Sequence, residues 1–425
     1  MNTLKSKISG KSRMRTKTNG MKRIWFFFAL AFIVPHLALS QSINQIPVVA
    51  WGGIPANETT EERYIELREA GFTHVIQSMD AESLAIAMDI AAEVGIKMFV
   101  HCPELKTETE KIVKRFMNHP AIAGYYISDE PGRSAFPALG EWVRKIQAID
   151  NQHFCYINLY PNIARFASKN LLETETYQEH VHLFIEEVPV PILSFDHYPV
   201  LLDQTGNRVL RLEWYENLEI FSDEARKAGK PFWAFALSVE HYHRSYKYPI
   251  PTLEELRLQV FSDLVYGAQG IQYFKYWGSS GRNDFYYAPI ESRTKKRTEV
   301  YDYIKEINTD IKNLSSIFLD AKVVSVAHTG EIIPPGTKRL EFLPDVINTF
   351  ETEGAGAVVS VLQKDGKSYL AIVNRDFKNN MKVKIEGEPG LLRVQKDGSM
   401  VPASAYISAM TVAPGDILIY CWNFQ

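Results

Sequence analysis

A (β/α)8 TIM barrel followed by a small C-terminal antiparallel β-sandwich is the architecture this sequence predicts. Eight short apolar segments recur between residues 47 and 277, with helical stretches between them, and eight such units in about 270 residues match a barrel of this kind. No Gly-x-Gly-x-x-Gly follows the first segment, so the main rival, a doubly wound open sheet, lacks its fingerprint. After about residue 316 the helical stretches stop and alternating strands take over.

The first forty residues lie outside this pattern. Lys22-Arg23 precedes the apolar run from Ile24 to Val34, and Ala38-Leu39-Ser40 places small residues before Gln41. That order reads as an export signal over 1–40, with Met21 a candidate start and 1–20 an upstream extension. The apolar run is short for a membrane span, and no Cys follows it to carry a lipid. A periplasmic or extracellular mature chain with no stable membrane anchor is expected.

The barrel is expected over 41–316. Its strands are read at 47–53, 73–78, 97–103, 122–130, 154–161, 192–199, 231–238 and 270–277. Helical patterns such as 61–70 and 81–94 end at Gly71 and Gly95, and Gly229 and Gly270 are read as helix caps of the same kind. The sandwich is expected over 317–425. Turn signals at Lys364-Asp365-Gly366, Lys396-Asp397-Gly398 and Pro414-Gly415-Asp416 separate its strands. Bracing the barrel is its expected role, with a carbohydrate-binding module as the alternative.

A hydrophobic content of 46% supplies a large core, and 47 basic against 50 acidic residues leave a net charge of −3. No basic stripe runs through the chain beyond residue 23, so nucleic acid is not an expected partner. Three cysteines, Cys102, Cys155 and Cys421, make no disulfide framework and read as buried thiols. No Cys-x-x-Cys or His-Glu-x-x-His occurs, so neither a metal nor another cofactor is expected.

Barrel enzymes draw their catalytic residues from the C-terminal ends of several strands. Here those ends carry Trp51-Gly52-Gly53, His101-Cys102-Pro103-Glu104 and Asp129-Glu130. Strict alternation along the fourth segment sets Tyr126, Ser128 and Glu130 on one face, and Tyr125, Ile127 and Asp129 on the other. Glu130 then faces the barrel interior, while Asp129 faces the helices as a supporting group beside the substrate. The same alternation groups Tyr156 with Asn158 and Tyr160 on the fifth strand, and Ser194 with Asp196 and Tyr198 on the sixth. On the seventh it groups Ala234, Ala236 and Ser238 as the smaller face, in phase with Glu240 just beyond.

A cleft walled by Trp and Tyr with carboxylates between them suits a sugar. Glycoside hydrolysis needs two carboxyl groups across the scissile bond, roughly 5–5.5 Å apart for retention and 6.5–9.5 Å for inversion. Glu130, set deep among Tyr side chains, is the expected general acid with a raised pKa. Glu240 and Asp196 are both open as the second carboxylate. Trp51, His101, Asp129, Asn158, His197, Tyr198 and Trp277 are the expected substrate contacts.

With these residues, the barrel half of the chain resembles the clan A glycoside hydrolases, which include cellulases, β-galactosidases and β-mannosidases. The resemblance rests on Glu130 closing the fourth strand, the aromatic sixth strand, and Trp277 closing the eighth after Tyr266-Gly267-Ala268-Gln269-Gly270. It implies that Glu130 is the acid/base, and that a second Glu ending the seventh strand is the nucleophile of a retaining enzyme. Two departures stand out. Asp129 occupies the place where the clan usually has Asn, and the segment Phe232 to Ser238 holds no carboxylate of its own. The expectation is an exported glycosidase acting on an oligo- or polysaccharide. A carbohydrate-binding barrel that has lost its nucleophile is the alternative.

Overall fold

The computed structural model describes residues 45–243, 246–279, 285–406 and 409–423. The expected export signal at 1–40 lies outside these residues. All eight expected barrel strands form: β1 (Val48–Trp51), β2 (His74–Ile76), β3 (Lys97–Val100), β4 (Ile122–Asp129), β5 (Phe154–Asn158), β6 (Leu193–Phe195), β7 (Phe232–Leu237) and β8 (Gly270–Phe274). They pair in parallel in the order β5-β4-β3-β2-β1-β8-β7-β6. Leu159 N donates to Ser194 O at 2.8 Å, and a bridge joins Leu159 to Phe195, which brings β5 against β6 and closes the barrel.

A principal helix follows each strand: α1 (Glu61–Glu69), α2 (Ala81–Val94), α3 (Thr109–Phe116), α4 (Phe136–Gln147), α5 (Tyr177–Glu187), α6 (Glu213–Lys227), α7 (Leu253–Val265) and α8 (Glu299–Phe318). Local sequence sets their ends. Asp80 accepts from Glu82 N and Ser83 N to start α2, and Gly95 stops it in a left-handed conformation. Thr252 and Glu255 form a reciprocal capping box at the head of α7. Gly270 is not a helix cap, contrary to expectation. It opens β8, and the left-handed residue after α7 is Gly267, with φ 104°. Gly270 has a packing reason instead, because a Cβ there would lie 2.6 Å from the Trp233 ring.

Period-2 alternation sorts the strands between two cores. Val48, Ala50, Val75, Met98, Val100, Cys155, Ile157, Leu193, Ala234 and Ala236 face the helices. Val49, Ile76, Phe99, Tyr126, Tyr156 and Trp233 fill the barrel interior. On β7 the expectation is therefore reversed: Trp233, Phe235 and Leu237 point inward, and the small Ala234 and Ala236 lie under the helices. Two alanines leave room for a close helix, and α7 approaches until Gln259 Oε1 accepts from Leu237 N at 2.9 Å. No helix among the described residues is long and apolar enough to cross a membrane.

Beyond α8 the chain turns to antiparallel sheet. Strands Lys322–His328, Ala357–Lys364, Lys367–Asn374, Ile417–Asn423, Leu392–Val394 and Met400–Pro402 form one sheet in that order. Strands Ile347–Glu353, Met381–Gly387 and Met410–Val412 form a second. One face of the larger sheet, with Val358, Leu362, Ala371, Val373 and Ile419, joins the core of the barrel helices. Its other face, with Val359, Leu370, Ile372 and Leu418, packs on Met381, Val383 and Ile385 of the smaller sheet. The contact with α7 is close at Gly415, where a Cβ would sit 2.2 Å from Glu254 O. Lys396 reaches from the sandwich to Asp310 on α8 at 2.7 Å while holding Asp416 at 2.6 Å. Cys102, Cys155 and Cys421 are buried free thiols.

Asp263 on α7 is fully buried, and neither carboxyl oxygen has a hydrogen-bond partner. Burial holds its pKa well above the usual carboxylate range. A raised folded-state pKa means that stability is complete below the unfolded-state value and falls as pH rises toward the folded one. The loss amounts to ~1.4 kcal/mol for each pH unit in that window. Asp263→Asn cannot ionise, so its melting temperature should gain on wild type progressively between pH 5 and 8. A constant difference across that range would show that Asp263 is already ionised in the folded state, as it is in the unfolded one, and that its pKa is not raised.

Candidate active site

The C-terminal ends of the barrel strands enclose a cavity of about 320 Å³. Trp51 of β1, Asp129 of β4 and Glu130 just past it, Asn158 of β5, Asp196 and Tyr198 beyond β6, Phe235 of β7 and Phe274 of β8 line it. His241, Tyr242 and Phe285 complete the rim from a small antiparallel sheet over the barrel mouth, in which Glu240–His243 pairs with Tyr246–Tyr248 and with Phe285–Tyr286.

The acids of β4 depart from strict alternation. Tyr126 pairs with Tyr156 and Ser128 with Ile157, a register shift that inserts one extra residue into β4. Ile157 faces the helices, so Ser128 does too, and the shift turns Asp129 inward beside Asn158. Asp129 is thus a cavity residue, which corrects its expected place under the helices. Glu130 then takes a left-handed backbone, φ 46°, tied by its N–H to Asn158 O at 2.8 Å, and it lines the cavity as well. A bulge and one left-handed residue present two consecutive acids to one space.

Asn158 joins two of the three carboxylates. Its Nδ2 donates to Asp196 Oδ1 at 2.7 Å and to Asp129 Oδ1 at 3.1 Å. Two acceptors on a single amide nitrogen lie within about 6 Å of each other. Burial, then the negative charges of Asp196 and Asp129, push the Glu130 carboxyl up to about 9. Burial and the charge of Asp129 raise Asp196 to about 7, against the pull of hydrogen bonds from Asn158 and Tyr198. Asp129 is also raised by burial, and the Asn158 bond opposes that. Of the three acids, Glu130 is the one that burial and the neighbouring charges favour most in its protonated form.

The other expected site residues divide. Trp51, Asn158 and Tyr198 line the cavity. His101 lies one layer away, its ring 4.0 Å from that of Tyr126, and burial lowers its pKa to about 4. His197 points to the helix side, fully buried near Arg211 and Asn217, and is no substrate contact. Trp277 is likewise displaced: it lies in the helix-side core beneath Arg63 and Lys295, while Phe274 of β8 meets the cavity. Glu240 is not among the cavity-lining residues; its side chain is half-buried and lies 3.6 Å from Lys247 across the hairpin. The inward positions of β7 that would carry the clan's nucleophile hold Phe235 and Leu237. Among the described residues no cluster of three or more His, Cys, Asp or Glu is arranged to hold a metal ion.

Reading the segment as alternating small and large side chains missed Phe235, and Phe274 and Phe285 carried no chemical signal to single them out. Phe235 belongs to the bulky face of β7, which turns inward.

Residues 155–314, from β5 to within α8, match the β-galactosidase model of glycoside hydrolase family 42. Sequence and fold agree: this barrel is similar to the glycosidase barrels of clan A. A catalytic mutant of Gan42B, a family 42 β-galactosidase from G. stearothermophilus, superposes with a TM-score of 0.61 at 9% identity over 90% of this chain and 99% of that one. A β-galactosidase from Bacillus circulans sp. alkalophilus gives 0.61 at 9% identity, over 90% and 100%. This chain spans 60% of a longer β-galactosidase from Marinomonas ef1, with 63% of its own length covered, 12% identity and a TM-score of 0.46. No curated protein sequence matches the chain.

Proposed function

We propose that this glycosidase hydrolyses neutral glycosides with retention of configuration, through Glu130 as general acid/base and Asp196 as nucleophile. The observation that carries the reading is one cavity that brings Glu130 together with two carboxylates sharing the Asn158 amide, where burial and their charges favour a proton on Glu130. A protonated acid and an ionised partner in one cavity are what glycosidic cleavage requires. The two groups must reach the anomeric carbon from different sides. Asp129 and Glu130 are neighbours on one strand end, whereas Asp196 reaches in from β6, two strands away. Asp196 is therefore the better placed partner, and Asp129 is assigned to a substrate hydroxyl.

In the first step Asp196 Oδ attacks the anomeric carbon while Glu130 gives its proton to the leaving oxygen. In the second, Glu130 takes a proton from water as that water displaces Asp196. Trp51, Tyr198, Phe235 and Phe274 offer apolar faces for the C–H side of a sugar ring. A cavity of about 320 Å³ suits roughly one or two rings. Export through residues 1–40 completes the proposal and places the enzyme where external glycans are met.

A neutral substrate suits the cavity, because three carboxylates line it and none of the described lining residues is Lys or Arg. On a panel of 4-nitrophenyl glycosides, with β-galactosides the first to try, neutral sugars should be turned over. The matching uronides should be at least about 10²-fold poorer in kcat/KM, from like-charge repulsion. A chain that binds these glycosides and hydrolyses none would be the carbohydrate-binding barrel instead.

A further inference from the structure

We propose that Ser194 and Gln272, buried beneath the cavity, are positioning residues that hold the Asn158 amide in one orientation and so keep Asp129 and Asp196 as the ionised acids and Glu130 as the protonated one. The inference rests on the roles given above to Glu130 and Asp196. Neither residue touches the cavity, and both are fully buried in the barrel interior. Gln272 reaches in from β8 and Ser194 from β6, so the connection runs across the barrel.

The hydrogen bonds have a direction. Tyr156 OH donates to Gln272 Oε1 at 2.7 Å, and Gln272 Nε2 donates to Ser194 Oγ at 2.8 Å. Ser194 Oγ also lies 2.9 Å from Tyr156 OH, but it is Asn158 Oδ1, at 2.9 Å and with no proton of its own, that takes the Ser194 proton. Asn158 must then aim Nδ2 at Asp129 and Asp196, which it does. The reverse amide orientation would set Asn158 Oδ1 against two carboxylate oxygens and its N–H groups against a donor. A carboxylate that accepts an amide N–H is favoured in its charged form. Two acids receive that help and Glu130, with no such donor, keeps the proton.

Other groups face these acids and set the background against which the relay acts. Tyr126 lies beneath them, Tyr198 and Tyr248 beside Asp196, and Tyr177 of α5 behind it, with burial holding all four hydroxyls protonated. His101 sits over Tyr126, and His241 lines the rim. None of these carries a permanent positive charge, so the Asn158 amide is a main support for charge at Asp129 and Asp196.

The test is a direct titration, independent of turnover. Enzyme labelled with ¹³C at the aspartate carboxyl is followed by NMR from pH 4 to 10, with Asp129→Asn and Asp196→Asn assigning the two signals. In Ser194→Ala, both carboxyls should titrate about one pH unit higher than in wild type. In Tyr156→Phe/Gln272→Met, which leaves Ser194 no side chain to accept from, the shift should be in the same direction and smaller. Unchanged titration of both acids in Ser194→Ala overturns the proposal, and an unshifted double variant overturns the part given to Gln272. Should the titrations shift while Glu130→Gln keeps full turnover, the catalytic roles fail and the relay stands.

Discussion

Glu130→Gln is expected to lower kcat on a glycoside with a poor leaving group by about 10²–10⁴-fold, the usual share of general acid catalysis. A good leaving group such as 2,4-dinitrophenolate needs little protonation, so the loss in the glycosylation step should shrink with it. The pH dependence should change as well. In the wild type, activity needs Glu130 protonated and Asp196 ionised. It should therefore rise as pH passes about 7 and fall as pH passes about 9, as burial and mutual repulsion dictate. Such limbs belong to the coupled acids as a set rather than to each alone. The glutamine variant should lose the alkaline limb and keep the acid one. An unchanged alkaline limb would remove Glu130 from the role of acid.

Asp196→Asn should be the more severe change, roughly 10⁴-fold or more, because loss of a covalent nucleophile closes the pathway. Leaving groups offer no relief here, since an amide does not attack the anomeric carbon. Added azide, a small external nucleophile, should restore turnover of an activated glycoside in Asp196→Ala and yield a glycosyl azide of inverted configuration. Glu240→Ala should stay within a fewfold of wild type, as its side chain pairs with Lys247 and does not line the cavity. If Glu240→Ala were the inactive variant and Asp196→Asn an active one, the assignment of the second carboxylate would be reversed.

Most of the architecture was legible in the sequence because a barrel strand announces itself twice, by a short apolar run and by the helix that precedes it. All eight strands formed within the expected segments. Asn158, Asp196 and Tyr198 were placed by period-2 alternation, which holds through β5 and on past the end of β6. Alternation failed where geometry departs from it. The bulge in β4 shifts every later residue by one, so Asp129 faces the cavity, and a left-handed φ brings Glu130 there also. On β7, size was a poor guide to direction. A barrel interior needs large side chains to fill it, and Trp233 and Phe235 do so, while alanines serve the helix side. Glu240 inherited that error. His197 was drawn in by its chemistry, against the alternation that sets it with Leu193 and Phe195 on the helix side, and Trp277 lies past the end of β8.

The pairing of Glu130 with Asp196 is tested most directly by trapping the intermediate. The enzyme is incubated with a 2-deoxy-2-fluoro glycoside carrying a good leaving group, which slows release of the glycosyl-enzyme, and the labelled peptide is then sequenced by mass spectrometry. An adduct on Asp196 is the expected result. An adduct on Glu240 or Asp129, or an inverted product with no adduct, would contradict it.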